Sequence, residues 1–339
     1  MSISESMAST EKALRSGSSS RPAEERGRGA ESPGEIPARG LKDVFWRLYA
    51  AISEDRVMLV AAGVTYYLLL ALFPAFSALV SIYGFVSDPA AIADRITFLS
   101  SVMPADALNI FLDQLRALTS ERNTTLSIAL IGGLALALWS ANAGMKALFE
   151  AMNVAYAEQE KRSLVRLNLV SLLFTLGALV LAIIVLSAMG GVPAVLRYLW
   201  LDQWTEIIIR LARWPIMMLF VTAGIMILYR FGPSREPAKL RWLTWGATFA
   251  TVAWLLASVA VSYYLANIAD YNATYGTLGA LIGFMVWTWI SVIIVIVGAE
   301  INAELEHQTA RDSTTGPPQP MGARGAYMAD TVGKPASEE

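Results

Sequence analysis

Residues 276–302 read GTLGALIGFMVWTWISVIIVIVGAEIN, and the first charged side chain in the stretch is Glu300, close to its end. An α-helix advances about 1.5 Å per residue, so roughly 20 apolar residues are needed to cross the hydrocarbon core of a bilayer. This stretch therefore predicts a transmembrane helix. Five further apolar stretches, at about 57–86, 126–152, 167–189, 214–230 and 242–268, reach or approach that length. The fourth is the shortest, but its Trp214-Pro215 start suits a first helical turn, and its Tyr229-Arg230 end suits a membrane interface. The expected fold class is all-α, a polytopic membrane bundle of six transmembrane helices with short amphipathic surface helices.

Composition agrees with that expectation. The 339 residues are 55% hydrophobic and 16% charged, against roughly 25% charged in an ordinary soluble domain. Of the 54 charged residues (26 basic and 28 acidic), 12 fall in residues 1–40 and 7 in 308–339, so the middle is more apolar than the average. A net charge of −2 supplies no basic field for nucleic acid. The absence of cysteine removes disulfides, thiolate metal sites and thiol nucleophiles, and one histidine, His307, leaves little for a metal-dependent hydrolase. His307 itself reads as a solvated side chain. No cofactor, metal site, catalytic residue or nucleic-acid partner is expected.

Residues 1–40 are rich in Ser, Gly, Pro, Glu and Arg and lack an apolar run, so they predict a disordered tail, and residues 308–339 predict a second one. No signal-peptide core follows Met1, so the first apolar stretch is expected to act as an uncleaved anchor. The membrane domain is then 41–307. At its start Leu41, Val44, Phe45, Leu48, Tyr49 and Ile52 share one helical face, predicting a helix that either lies along the membrane surface or caps the bundle. Residues 87–125 and 190–213 carry apolar residues at helical spacings and predict further surface helices.

Basic residues retained on cytoplasmic flanks set the orientation. With six spans, 19 Lys and Arg fall on the side of both termini and 6 on the other, which predicts a multi-pass inner-membrane protein with both termini cytoplasmic.

Polar groups within apolar helices are costly unless they face an interior or a wet cavity. Asn142, Lys146, Glu150 and Asn153 advance by four, four and three, which puts them on one face. They line an interior path, or Lys146 and Glu150 simply pair near the helix end. Glu300, Asn302 and Glu304 close the last stretch, where two acids oppose the helix dipole and call for counter-charges such as Lys146 or the basic loops. Tyr66 and Tyr67, with Thr65 and a kink at Pro74, could line a cavity; Gly279 and Gly283 form a small-residue face for helix packing.

The blocks AAGVTYYLLLALFPA (61–75), WSANAG (139–144), YGTLG (275–279) and GAEINAE (298–304) together resemble the YihY/BrkB family of bacterial inner-membrane proteins. The resemblance covers roughly 41–307. It implies a six-helix inner-membrane protein, an old ribonuclease BN label that the residues here do not support, an envelope-protection theme, and a role in moving lipid or envelope precursors suggested for relatives. It transfers no catalytic residue. The leading expectation is a non-enzymatic transporter or flippase-like protein whose partners are membrane lipids, with a homo-oligomer possible and protein partners unknown. The alternatives are a structural or interaction protein of the envelope and, more remotely, a ribonuclease.

Overall fold

A computed structural model describes residues 24–70, 125–196, 203–268 and 278–335. Its helices are α1 (Ala38–Glu54), α2 (Val57–Leu70), α3 (Thr125–Ala155), α4 (Leu164–Leu196), α5 (Gln203–Phe231), α6 (Leu240–Asn267), α7 (Gly279–His307) and the short α8 (Tyr327–Asp330). Among the described residues there is no strand beyond an isolated bridge between Ala238 and Thr314. Among the described residues, four helices are long and apolar enough to cross a membrane, over Leu164–Ala182, Leu211–Phe231, Leu240–Leu265 and Leu281–His307, and Val57–Leu70 is a shorter apolar one. Much of the first expected span and the surface helices expected over 87–125 lie outside the described residues.

Exposed leucines and valines on α4, such as Leu164, Val165 and Leu169, leave the core to small and aromatic side chains on the inner faces. Ala61, Val64, Phe149, Met152, Tyr229, Ala247, Ala250, Ile296 and Ala299 form that core. Lipid tails are as apolar as leucine, so helices in a membrane gain more from close approach and from hydrogen bonds between them. Both are present. The backbones of α6 and α7 meet at Gly246 and Gly298, where a Cβ on Gly246 would overlap the Gly298 carbonyl oxygen. Gly283 is a second close approach, since a Cβ there would lie 3.3 Å from Leu265 Cδ1. Gly279 is buried in the first turn of α7. Trp254 donates to Ser291 (3.1 Å), Trp287 to Ser258 (3.1 Å), and Thr222 and Thr251 share a bond of 2.9 Å across α5 and α6.

Several expectations need correction. Residues 203–213, read as a surface helix, and the span read as starting at Trp214 are one continuous helix with Pro215 inside it. α4 likewise runs past 189 to Leu196. α1 buries part of its apolar stripe: Val44 is buried with Gly40, Asp43 and Arg47 and Ile52 packs on the core, whereas Phe45 and Tyr49 are exposed. Charge pairing decides this, since Asp43 accepts from Arg26 at 2.8 Å and Arg47 from α1 reaches Glu304 on α7.

The described parts of the two expected tails are not structureless. Arg28 donates to the carbonyls of Gln308 (3.2 Å) and Gly333 (2.6 Å), Thr309 Oγ1 donates to Ala30 O (2.6 Å), and Ala30 and Ile36 are buried with Trp242 and Leu305. Arg324 is buried and donates to the carbonyls of Ala310 (2.9 Å) and Gln319 (3.1 Å). These segments form a cap over the end of the bundle where α7 finishes. Their polar groups are satisfied by hydrogen bonds to backbone and their buried apolar side chains are isolated ones, such as Ile36 and Met328, which a search for apolar runs does not detect.

Candidate functional site

Two polar groups stand out against the apolar helices. The first lies between α3 and α4. Asn142 and Lys146 are one turn apart on α3, and Asn168 sits in the second turn of α4. Lys146 Nζ donates to Asn168 Oδ1 at 3.0 Å, and Asn142 Nδ2 is 3.5 Å from the same oxygen. Asn168 Nδ2 is held by the Leu164 carbonyl at 2.8 Å, which fixes the amide so that its oxygen faces the lysine. The ammonium also lies 5.7 Å from the centre of the Trp139 ring, within reach of a cation–π attraction. Asn142 is buried, Lys146 half-buried, and Asn168 and Trp139 exposed, so the group opens to the outside of the bundle.

The second group is the capped end of α7, where Glu300, Asn302, Glu304, Glu306 and Gln308 are all buried. Arg47 Nε donates to Glu304 Oε2 at 2.5 Å while its Nη2 donates to Gln308 Oε1 (2.9 Å) and to the Glu304 carbonyl (3.2 Å). Arg235 Nη2 donates to Glu306 Oε2 at 2.6 Å, Ser313 Oγ donates to that same oxygen at 2.9 Å, and the guanidinium lies 4.8 Å from the Tyr156 ring centre. Burial disfavours the charge on Arg235, yet the Glu306 carboxylate outweighs it and pushes the guanidinium further up. The two arginines supply the counter-charges that the acidic helix end requires. Asn302 seals α7 to α6, accepting from the Gly246 N–H (2.8 Å) and donating to the Leu243 carbonyl (3.3 Å).

Asp55, the residue that follows α1, lies beside Glu300, and burial together with the Glu54 and Glu304 carboxylates pushes its carboxyl up. On the loop after α3, burial of Glu160 is overcome by the Arg162 fork, with both bonds at 2.7 Å, and by Asn153, and its carboxyl is held at about 2. Asn153 Oδ1 in turn accepts from the Ser234 N–H at 2.7 Å and Ser234 Oγ from the Lys161 N–H at 2.9 Å, tying the end of α3 and the loop after it to the loop after α5.

The polar residues conspicuous in the sequence thus divide into separate groups. Asn142 and Lys146 are brought together, but not with Glu150, which is exposed, nor with Glu300 or Glu304. Glu300, Asn302 and Glu304 form a separate buried group. Tyr66 and Tyr67 are on the outer surface of the described bundle, packed edge to face on each other, while the Thr65 hydroxyl donates to the Ala61 carbonyl at 2.8 Å. Pro74 lies outside the described residues. His307 is only partly exposed and packs near Tyr327 and Glu304 rather than standing in solvent. Arg47, Arg235, Asn168 and the Gly246–Gly298 contact are not singled out by sequence. An arginine opposite an apolar stripe carries no local sign of its partner, whereas the two glycines sit within apolar helices, where a close approach is one of few reasons for them.

Among the described residues no group of three or more His, Cys, Asp or Glu side chains could hold a metal ion. Chemically, the capped end offers mutually neutralised charges that lock helices together, and the Lys146 group offers a cation with donors to spare.

The model of the family described as virulence factor BrkB matches residues 48–322. The putative ribonuclease-like protein YfkH of Bacillus subtilis is 31% identical over 274 residues, covering 78% of this chain and 94% of that protein. A UPF0761 membrane protein of Chromobacterium violaceum is 26% identical over 267 residues, 74% of this chain and 59% of the relative. A UPF0761 membrane protein of Haemophilus influenzae is 21% identical over 268 residues, 78% and 94% of the two chains. No solved structure matches.

Proposed function

The chain belongs to the virulence factor BrkB family of integral membrane proteins, and on that premise we propose that it is a transporter or flippase-like protein handling lipid or other envelope components. One observation carries this reading: Lys146, Asn142 and Asn168 form a polar group that opens outward from otherwise apolar helices. Such a group is expensive in hydrocarbon and is retained where polar matter must meet the membrane domain. The protein sits in the plasma membrane with six spans and both termini in the cytoplasm, a topology supported by the basic loops after α3 and α5 gathering at the capped end. Membrane lipids are its partners.

A structural role in the envelope is the second reading, favoured by the Arg47–Glu304 and Arg235–Glu306 pairs, which hold α1, α7 and the loop after α5 together. Enzymatic activity is not part of the proposal, although one relative is named ribonuclease-like. Among the described residues no group of three or more His, Cys, Asp or Glu side chains could hold a metal ion for metal-assisted RNA hydrolysis. Purified full-length protein reconstituted into vesicles tests the proposal through the rate at which fluorescent lipid analogues change leaflet. Acceleration over protein-free vesicles is expected; its absence for every headgroup tried, with the protein folded, leaves the structural reading. RNA cleavage by the same preparation with divalent metal would reinstate the enzyme.

A further inference from the structure

We propose that the α3–α4 face around Lys146 binds the phosphate-bearing headgroup of an anionic lipid, which enters sideways from the leaflet at the capped end. The proposal rests on the transport reading above and names the substrate chemistry of the same site. α3 carries no charge from Thr125 to Met145, so Lys146 is the first ion along it. Its ammonium has three donors, and Asn168 Oδ1 takes one of them. No carboxylate of the described residues lies within ion-pair distance of Nζ: Glu304 is paired with Arg47, Glu306 with Arg235, Glu160 with Arg162 and Glu158 with Lys161. Among the described residues, a half-buried cation on an apolar helix is therefore left with unspent donors and no anion of its own.

The surroundings say what kind of anion can reach it. Trp139 is 70% exposed, Leu169 67% and Val165 81%, so the cation is flanked by side chains that face lipid. Lys146 stands nine residues before the end of α3, about 14 Å along the axis, and the lysine stem reaches back toward the second turn of α4. The 21 uncharged residues of α3 before it, Thr125 to Met145, span about 31 Å, the thickness of a hydrocarbon core, which puts Lys146 at the border between acyl chains and headgroups. A tryptophan ring at the same place is the usual companion of that border. A lipid phosphate at this depth can accept from Lys146 Nζ while its chains lie along the exposed leucines and valines of α4. The Asn142 amide, buried behind the lysine with its Oδ1 unpartnered, makes the back wall. A free phosphate shares the chemistry but has no chains to place on that surface.

The test uses full-length protein in phosphatidylcholine discs with or without phosphatidylglycerol, and measures bound phosphatidylglycerol by native mass spectrometry after release. Wild-type protein should retain phosphatidylglycerol over phosphatidylcholine. Lys146→Gln should weaken that preference by about tenfold or more, as expected for losing a charge-assisted hydrogen bond, and Lys146→Arg should keep it. Thermal unfolding without added lipid checks that both variants are folded. Equal retention of the two lipids, or an unchanged preference in folded Lys146→Gln, overturns the proposal. Displacement of the lipid by inorganic phosphate at matching concentration overturns the lipid assignment in favour of a soluble anion. Selective binding with no leaflet exchange in vesicles would count against the transport reading while leaving the site intact, so the two failures are distinguishable.

Discussion

Arg47 and Lys146 are both cations within a largely apolar protein, and their surroundings assign them opposite energetic roles. Arg47 is 7% exposed, and its fork satisfies Glu304 on α7 and Gln308 just past its end. Arg47→Ala would leave Glu304 buried without its closest counter-charge, a loss that typically costs about 3–5 kcal/mol. Lys146→Ala removes a partly exposed side chain bonded to a neutral amide and should cost under about 1 kcal/mol. Thermal unfolding in detergent compares the two, and a larger loss for Lys146→Ala would reverse the assignment. Asp55 supplies a pH dependence. Its carboxyl is raised in the folded protein by burial and by nearby carboxylates, so the folded state holds the proton more tightly than the unfolded chain. The resulting stabilisation is fully present below the unfolded value and is lost as pH rises through the folded one. Asp55→Asn should therefore flatten the decline in unfolding temperature as pH rises above the ordinary aspartate range, and an unchanged slope would show that other groups carry it.

Among elements, the α6–α7 pair depends most on small side chains. A Cβ at Gly246 would meet the Gly298 carbonyl and, at 2.6 Å, the Asn302 side chain that bonds the Gly246 N–H. Backbone cannot move aside as a flexible side chain can, so Gly246→Ala should destabilise by about 1–3 kcal/mol or more. Gly177 on α4 has open space where its Cβ would be, and Gly177→Ala should leave the unfolding temperature unchanged or raise it slightly. Equal melting of the two variants would refute the close-contact account. α1 illustrates how pairing can override periodicity. Its apolar stripe is legible in the spacing of Leu41, Phe45 and Tyr49, but Asp43 and Arg47 on the other face have specific partners that only the folded chain brings near.

For the whole molecule, the cap and the basic loops put residues 24–35, 156–163, 232–239 and 308–335 at one end of the bundle. The absence of native cysteine makes the side of the membrane testable. Single substitutions Gln159→Cys and Met321→Cys should resist an impermeant thiol reagent applied outside intact cells, whereas Ser87→Cys, Gln203→Cys and Asn272→Cys should react. The reverse pattern would invert the orientation, and a mixed pattern would overturn the six-span count.

Hydrophobic length and the scarcity of charge determine by themselves that this chain is an integral membrane protein of helices, because the bilayer imposes one length and one polarity on whatever crosses it. The same reasoning finds Lys146, Asn142, Glu300 and Glu304, since an ion in an apolar run is conspicuous wherever it points. Which of these ions meet is a different question. Lys146 and the basic loops are the candidate counter-charges for the acids of α7 by sequence; Arg235 of the loop after α5 holds Glu306, 71 residues away, but Arg47 rather than Lys146 holds Glu304, 257 residues away along the chain. Asn168 is placed against Lys146 by the packing of α3 on α4, and the polar segments 24–35 and 308–335 are ordered by hydrogen bonds to each other's backbone. Partnerships of this kind depend on the distance between side chains in space, and only the tertiary structure decides that, because no local periodicity records it.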